Sequence, residues 1–379
     1  MVIEIRRAGF TNKGAELMLR AAVEQIRKRM PDADVVMIPD SADSYCRRGS
    51  LCIKQKVWLQ KLGVRWGDLA AIVPDRTRRR YGLYLDSEVD VVLDAAGFAY
   101  GDQWPIRRLA EAAGSSARWK RNGTKLILLP QALGPFTDSI RQRHATELIC
   151  NAALVFPRDV QSYQHVLGLV GEQPYVQVAP DFTNLLEGAI PASFESELNR
   201  FCVIPNYRMI DKTDDEVSAR YVKLMASIVQ ELDSRGAKPF LLIHEGSNDL
   251  WLAMQISNRL ARPVNVVVEE DALFIKGIIG QSDGVVSSRF HGLVSALSQG
   301  VPALGTSWSH KYNMLFADYG FPEGVIDSEM LMDQIGSKID RITAPSAREK
   351  VRQTILHHAH EYKGKAQKMW DKVFAVISP

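Results

Sequence analysis

Cysteine is scarce in this chain, with four among 379 residues, Cys46, Cys52, Cys150 and Cys202. They form no Cys-x-x-Cys pair and have no histidines at zinc-finger spacing, which argues against a cysteine-based zinc module and a disulfide-stapled scaffold. Reduced thiols, mostly in the core, are the expectation. No His, Cys, Asp or Glu cluster shows usable ligand spacing, so neither a metal nor a cofactor is expected. No apolar run is long enough to cross a bilayer, and Glu4, Arg6 and Arg7 fall where a signal peptide needs its apolar stretch. A cytoplasmic location is therefore expected. Net charge is only +3, which gives no global reason to expect nucleic-acid wrapping. No short-period repeat appears, which rules against a solenoid.

A composition of 46% hydrophobic, 24% charged and 8% aromatic residues is that of a folded globular protein, and the length suits two domains. Short apolar runs at 35–38, 89–93, 125–129, 153–156 and 176–179 alternate with amphipathic segments. That alternation marks buried parallel strands with helices on both faces, a doubly wound α/β domain over 1–188. After Asp181 the pattern gives way to a linker-like stretch, Gly188 to Ser193. It resumes at 201–204, 239–243, 264–268, 284–287 and 301–305, giving a second Rossmann-like domain over 198–345. From residue 346 to 379, Val351, Ile355, Tyr362, Ala366, Met369, Trp370 and Val373 form the stripe of one long amphipathic helix, with Gly364 a candidate kink. Two doubly wound domains facing a cleft, with a final helix crossing back to the first, suggest a GT-B-like architecture.

The strongest local signal is the stretch Ser282–Pro302, which reads as a buried strand ending near Ser288, a short turn carrying Arg289, Phe290 and His291, and a helix stopped by Gly300. Ligands bind at that edge of an α/β sheet, and a helix start favours anions. An arginine there can grip a carboxylate or phosphate through two parallel hydrogen bonds, and a histidine can move protons near neutral pH. The plainer alternative makes Arg289 half of a structural ion pair and His291 a cap on the sheet. Lys311 follows the next strand and is expected beside His291, with His310 a neighbour. In the first half, Gly9, Asn12, Gly14 and Glu16 belong to a glycine-rich loop between the first strand and a helix, matching neither a dinucleotide fingerprint nor a Walker loop. Asp94, Gln131, Arg158 and Asp159 follow other apolar strands and are expected at the same edge, the last two alternatively forming a salt bridge with each other.

The Gly9-Phe10-x-Asn12-x-Gly14 opening, Gln131 to Pro135, Arg158-Asp159 with Ser162, Lys276-Gly277, Asp283, Arg289-x-His291 and Lys311 together resemble the polysaccharide pyruvyl transferase family, from about residue 3 to about residue 320. The resemblance implies a GT-B-like fold and transfer of pyruvate from phosphoenolpyruvate to two hydroxyls of a sugar, free in a polysaccharide or carried on a lipid, as a cyclic ketal. It implies that Arg158 and His291 serve donor binding and catalysis, with Lys311 a basic neighbour and Arg289 a further donor-binding candidate. Gly9, Asn12, Gly14, Glu16, Asp94 and Gln131 are then candidates for the acceptor side or the cleft. The chain departs from the family pattern at Ala15, where an acidic residue is common, and Glu16 is the adjacent substitute.

Phosphoenolpyruvate carries a carboxylate and a phosphate, so its site needs several fixed positive groups. A basic, tryptophan-bearing stretch, Arg47 and Arg48 through Lys54, Lys56, Trp58, Lys61, Arg65 and Trp66 to Arg76, Arg78, Arg79 and Arg80, is either a solvated face or a peripheral contact with an anionic membrane. Two other readings use the same scaffold: a GT-B glycosyltransferase consuming a nucleotide sugar, and a sugar- or phosphate-binding protein without turnover.

Overall fold

The computed structural model describes the chain except residues 40–44, 59, 62, 63, 212, 214, 308, 309, 328, 329 and 379, and the side chains of 59–66, 68 and 307–311 also lie outside the description. Two compact units result, Met1–Phe182 together with Lys365–Pro379, and Thr183–Gly364.

The first unit runs β1 (Val2–Arg6), α1 (Lys13–Arg29), β2 (Asp34–Met37), β3 (Lys54–Lys56), β4 (Leu83–Tyr84), β5 (Val91–Asp94), β6 (Phe98–Tyr100), α2 (Ile106–Arg121), β7 (Lys125–Leu133), α3 (Ser139–Asn151), β8 (Leu154–Pro157) and α4 (Val160–Val170). Its parallel sheet has the order β8-β7-β5-β1-β2-β3-β4, with β6 beside the end of β7. From β1 the chain moves outward through β2, β3 and β4, then returns to the other side of β1 at β5. The carboxyl ends of β1 and β5 are thus a topological switch point, where such sheets open a crevice. Helix α1 starts there because the Asn12 side chain accepts from the Ala15 N–H at 3.2 Å, and it ends on Arg27, Lys28 and Arg29, the sign its dipole favours.

The second unit runs β9 (Phe201–Ile204), α5 (Asp215–Ser234), β10 (Pro239–Ile243), α6 (Gly246–Ser257), β11 (Asn265–Val268), α7 (Ala272–Gln281), β12 (Gly284–Ser287), α8 (Phe290–Ser298), β13 (Ala303–Ser307), α9 (His310–Asp318), β14 (Val325–Asp327) and α10 (Met332–Thr343). Its sheet is parallel throughout, in the order β11-β10-β9-β12-β13-β14. Counted from β9, this is the 3-2-1-4-5-6 order of the Rossmann fold, with its switch point between β9 and β12. Helix α11 (Pro345–Ile377) continues without a break through Gly364, and its buried stripe includes Val351, Ile355, Ala359, Ala366, Trp370 and Val373.

Several expectations change. The run at 176–179 lies beside β8 without forming a named strand: it makes the bridge Val155 to Val176, with the Gln177 N–H donating to the Val155 carbonyl at 3.0 Å and the Ala179 N–H to the Pro157 carbonyl at 3.1 Å. Strand β3 and the edge strand β4 were illegible as apolar runs. Three of the four cysteines are exposed, and only Cys202 is in the core. The linker-like stretch is pinned within the second unit: Lys276 Nζ donates to the Thr183 carbonyl at 3.1 Å and the Ala189 N–H to the Leu273 carbonyl at 3.0 Å. Gly277 permits this approach, since a Cβ there would sit 1.8 Å from the Ala189 oxygen. The basic stretch is also not one face. Arg48, Lys56 and Arg78 are buried, Lys56 bonding Glu4 at 2.5 Å and Asp86 at 2.7 Å, whereas Arg76, Arg79 and Arg80 are exposed. Among the described residues, no helix is long and apolar enough to cross a membrane.

Candidate functional site

At the switch point of the second unit, β12 ends in Ser287 and the turn through Ser288 and Arg289 enters α8. A buried polar network fixes that turn. The Ser288 N–H donates to the Ile204 carbonyl at 3.0 Å, and the Ser288 carbonyl accepts from Asn206 Nδ2 at 3.0 Å and from the Tyr312 hydroxyl at 2.9 Å. The Ser288 hydroxyl bonds the Tyr221 hydroxyl at 2.6 Å and also Thr306. Gly292 lets the helix start close against this turn, since a Cβ would meet Ser287 Oγ at 2.8 Å.

Two side chains leave the turn in different settings. Arg289 is 8% exposed; its Nη2 bonds both Asp249 oxygens at 2.7 and 2.6 Å, and Nη1 bonds Glu245. The ion pair anticipated as the plainer alternative is therefore present, with partners supplied by the start of α6. Burial drives the Asp249 carboxyl above the usual range against the Arg289 charge, and the neighbouring Glu245 charge adds to the rise. His291 stands half-buried in the first turn of α8, its ring edge-on to Phe290 with centroids 5.6 Å apart. It is thus held at the positive end of a helix dipole, on the carboxyl edge of the sheet.

The first unit carries a cavity of about 390 Å³ at the carboxyl end of β1, lined by Glu4, Arg6 and Arg7, by Gly9, Asn12 and Ala15 of the opening loop, and by Trp58 and Glu111 among others. Arg6 Nη2 bonds the two Glu111 oxygens at 2.9 and 3.1 Å, and Arg7 Nη2 bonds Glu111 at 2.8 Å. Burial alone raises the Glu111 carboxyl, but the Arg6 charge and hydrogen bond, with the Arg7 charge, outweigh it and hold the group below the ordinary carboxylate range. Arg7 has φ of +58°, a left-handed conformation that costs a non-glycine residue of order 1 kcal/mol and turns its side chain onto Glu111 and the Tyr100 ring.

Comparison with known proteins shows the family and the fold in which these arrangements occur. A family model described as polysaccharide pyruvyl transferase matches residues 12–310. The chain belongs to the polysaccharide pyruvyl transferase family. No curated protein sequence matches it significantly. Solved structures that resemble it include a UDP-GlcNAc 2-epimerase from Neisseria meningitidis bound to UDP-GlcNAc, with 11% identity, TM-score 0.61 and coverage of 99% of this chain and 100% of that one. Another is Anabaena HepE in complex with UDP-glucose, with 13% identity, TM-score 0.58 and 99% coverage of each chain. A third, classed as a UDP-N-acetylglucosamine 2-epimerase from Listeria monocytogenes, has 14% identity and TM-score 0.64 over 99% of this chain and 95% of that one. Likenesses at this identity show the fold, which is GT-B-like.

Within this pyruvyl transferase family member, the structure brings Arg289, Phe290 and His291 together at one switch point and places Lys311 in the first turn of α9; the side chains of His310 and Lys311 are outside the described residues. Arg158 follows β8 in the first unit, its N–H bonding the Gln131 carbonyl at 2.9 Å and its Nη1 lying 3.7 Å from Asp181. Asp159 is not its salt-bridge partner but the N-cap of α4, accepting from the Ser162 N–H at 2.7 Å. Of the opening-loop candidates, Gly9 and Asn12 line the cavity. Glu16 does not take the position open at Ala15: it is 3% exposed and paired with Arg20 at 2.9 Å and Lys13 at 3.3 Å. Asp94 accepts from the Tyr100 hydroxyl at 2.6 Å, and the fully buried Gln131 reaches the Asp94 carbonyl at 3.4 Å.

Sequence reasoning missed Glu245 and Asp249 around Arg289, and Glu4, Arg6, Arg7, Trp58 and Glu111 around the cavity. One signal was available for the second group: charges at 4 and 6 fall on one side of an otherwise apolar strand, which a buried strand tolerates only when they are partnered.

Proposed function

We propose that the protein transfers pyruvate from phosphoenolpyruvate to two hydroxyls of a sugar and closes a cyclic ketal. Family membership supplies the reaction class, and the observation that carries the assignment to residues is His291, fixed at the helix start of a Rossmann switch point by the network behind Ser288. In the reaction, C3 of the enol phosphate gains a proton and C2 becomes electrophilic. One sugar hydroxyl bonds C2, the C2–O bond to phosphate breaks, and the second hydroxyl bonds the same carbon. Of the two hydroxyl protons released, one balances the proton on C3 and the other leaves on inorganic phosphate. His291 is the general acid or base for one of these transfers. Arg158, Lys311 and the start of α8 are the positive groups that bind the anionic donor. Arg289, whose charge Asp249 and Glu245 already share, contributes to donor binding chiefly by holding that turn in place. The acceptor is a sugar of a polysaccharide or of its lipid-linked precursor, met at the cytoplasmic face of the membrane. The exposed Arg76, Arg79 and Arg80 suit peripheral contact there.

Structural neighbours solved with UDP-GlcNAc or UDP-glucose motivate a second reading, transfer from a nucleotide sugar. Both readings are tested by incubating the protein with a panel of glycosides and either phosphoenolpyruvate or UDP-glucose. Acceptor-dependent phosphate release with a mass gain on the glycoside matching a pyruvate ketal supports the proposal. UDP release with a hexose gain instead replaces it with the second reading.

A further inference from the structure

We propose that residues 69–81 of the first unit form a docking surface for an anionic lipid bilayer, with apolar side chains that enter the headgroup region and arginines that meet the lipid phosphates. Pro74 divides the segment. Before it, the Val73 N–H donates to the Ala70 carbonyl at 3.1 Å; after it, the short helix Asp75–Arg80 opens with the Thr77 and Arg78 N–H groups on the Pro74 carbonyl at 3.0 and 3.1 Å. Arg78 turns inward: its Nε donates to the Val73 carbonyl at 3.0 Å and its Nη2 to Glu88 at 3.1 Å. That buried side chain ties the two halves together and holds them to the unit, and every other residue from 71 to 81 is exposed.

Leu69, Ile72, Val73 and Tyr81 therefore stand in solvent, Ile72 at 83% and Tyr81 at 74% exposure. A single exposed apolar residue is ordinary, but this group, close together in the chain, is a patch that marks a contact. The charges interleaved with it point to the partner. Arg76, Arg79 and Arg80 are exposed against one exposed acid of the segment, Asp75. Arg79 lies 3.9 Å from Glu88, and Arg76 and Arg80 have no ion pair among the described residues. Apolar side chains flanked by arginines suit an anionic bilayer, where guanidinium groups meet phosphates while leucine and isoleucine leave water. A second copy of the same patch would bring the arginines of both copies together, and single-stranded nucleic acid takes stacked aromatic rings, of which the segment has only Tyr81. The purpose of the contact, reaching a lipid-linked acceptor, rests on the proposed function; the affinity for the bilayer does not.

The test is vesicle flotation of the full chain with phosphatidylcholine alone and with equal parts of phosphatidylcholine and phosphatidylglycerol. Leu69→Ser with Ile72→Ser removes apolar contact and keeps every charge, whereas Arg76→Gln with Arg80→Gln removes charge and keeps the apolar side chains. Leu331→Ser, at an exposed leucine of the second unit, is the control. None of these changes touches the Arg78–Glu88 pair, and thermal melts establish that each variant folds. Wild type is expected to bind the mixed vesicles about ten-fold more tightly than phosphatidylcholine, with a loss of about ten-fold or more in each double variant and none in Leu331→Ser. No binding by wild type, equal binding to the two vesicle types, or undiminished binding in either double variant each overturns the proposal. So does a wild-type dimer in analytical ultracentrifugation that Leu69→Ser with Ile72→Ser dissociates, which assigns the patch to a second copy. Turnover of phosphoenolpyruvate with soluble glycosides, measured in parallel without vesicles, separates the two claims. Turnover without vesicle binding removes this surface and leaves the proposed function, and vesicle binding without turnover does the opposite.

Discussion

Each unit places an arginine–carboxylate cluster beside its switch point, but in opposite proportion. In the first, Arg6 and Arg7 share Glu111; in the second, Arg289 is shared by Asp249 and Glu245. The carboxyls respond in opposite directions, Glu111 held below the ordinary range and Asp249 pushed above it. The cause is the local balance of charge together with burial, since Asp249 is fully buried beside a second carboxylate and Glu111 is partly open beside two guanidinium groups. An arginine in a family motif therefore does not by itself supply positive charge to a ligand. At Arg289 that charge is already matched, so the proposed function gives proton transfer to His291 and donor charge to Arg158, Lys311 and the helix start.

The largest effect is expected where this comparison assigns chemistry rather than support. His291→Ala should lower turnover by about 10²-fold or more, the usual scale for a lost general acid or base, with an unchanged circular dichroism spectrum. Turnover near wild type would remove His291 from the mechanism. Next is Asp249→Ala, which leaves Arg289 with one carboxylate and strips the Tyr207 N–H of its 3.0 Å acceptor. Breaking a buried pair from one side costs about 3–5 kcal/mol, read from denaturant unfolding. A loss below about 1 kcal/mol would mean the pair does not hold the turn.

The smallest effect sharpens the contrast itself, through pH. The Glu111 carboxyl is depressed in the folded state, so its stabilisation is complete above about pH 4.3 and fades as pH falls through the lower folded value. The Asp249 carboxyl is raised, so its contribution is complete below about pH 3.9 and declines as pH rises through the higher folded value. Melting curves of Glu111→Gln and Asp249→Asn against wild type should therefore diverge with opposite slopes. For the part-exposed Glu111 the difference is roughly 1 kcal/mol or less after solvent screening. Slopes of the same sign would break the comparison.

How much of this was legible depended on whether the signal was local. Strands β10 and β12 were readable from residues 239–243 and 284–287 because a strand buried on both faces must be apolar throughout. Strand β3 was not, since Lys-Gln-Lys at 54–56 is tolerated only where Glu4 and Asp86 fold onto Lys56 from 52 and 30 positions away. The same holds at the sites. The Arg289-Phe290-His291 turn is contiguous and was found, whereas Asp249 is 40 positions from Arg289 and Glu111 is 105 from Arg6. Nothing near the opening loop in the chain pointed to Glu111, which lines the same cavity as Ala15.

The central claim of the proposed function is that Arg158 and Lys311 each contribute to binding phosphoenolpyruvate. Calorimetric titration of phosphoenolpyruvate into wild type, Arg158→Lys and Lys311→Met tests it most directly. Arg158→Lys keeps the charge but loses the planar two-point grip, so donor affinity should fall by about ten-fold, roughly 1.4 kcal/mol, and Lys311→Met should weaken it as well. Donor affinity equal to wild type in both variants would contradict the account.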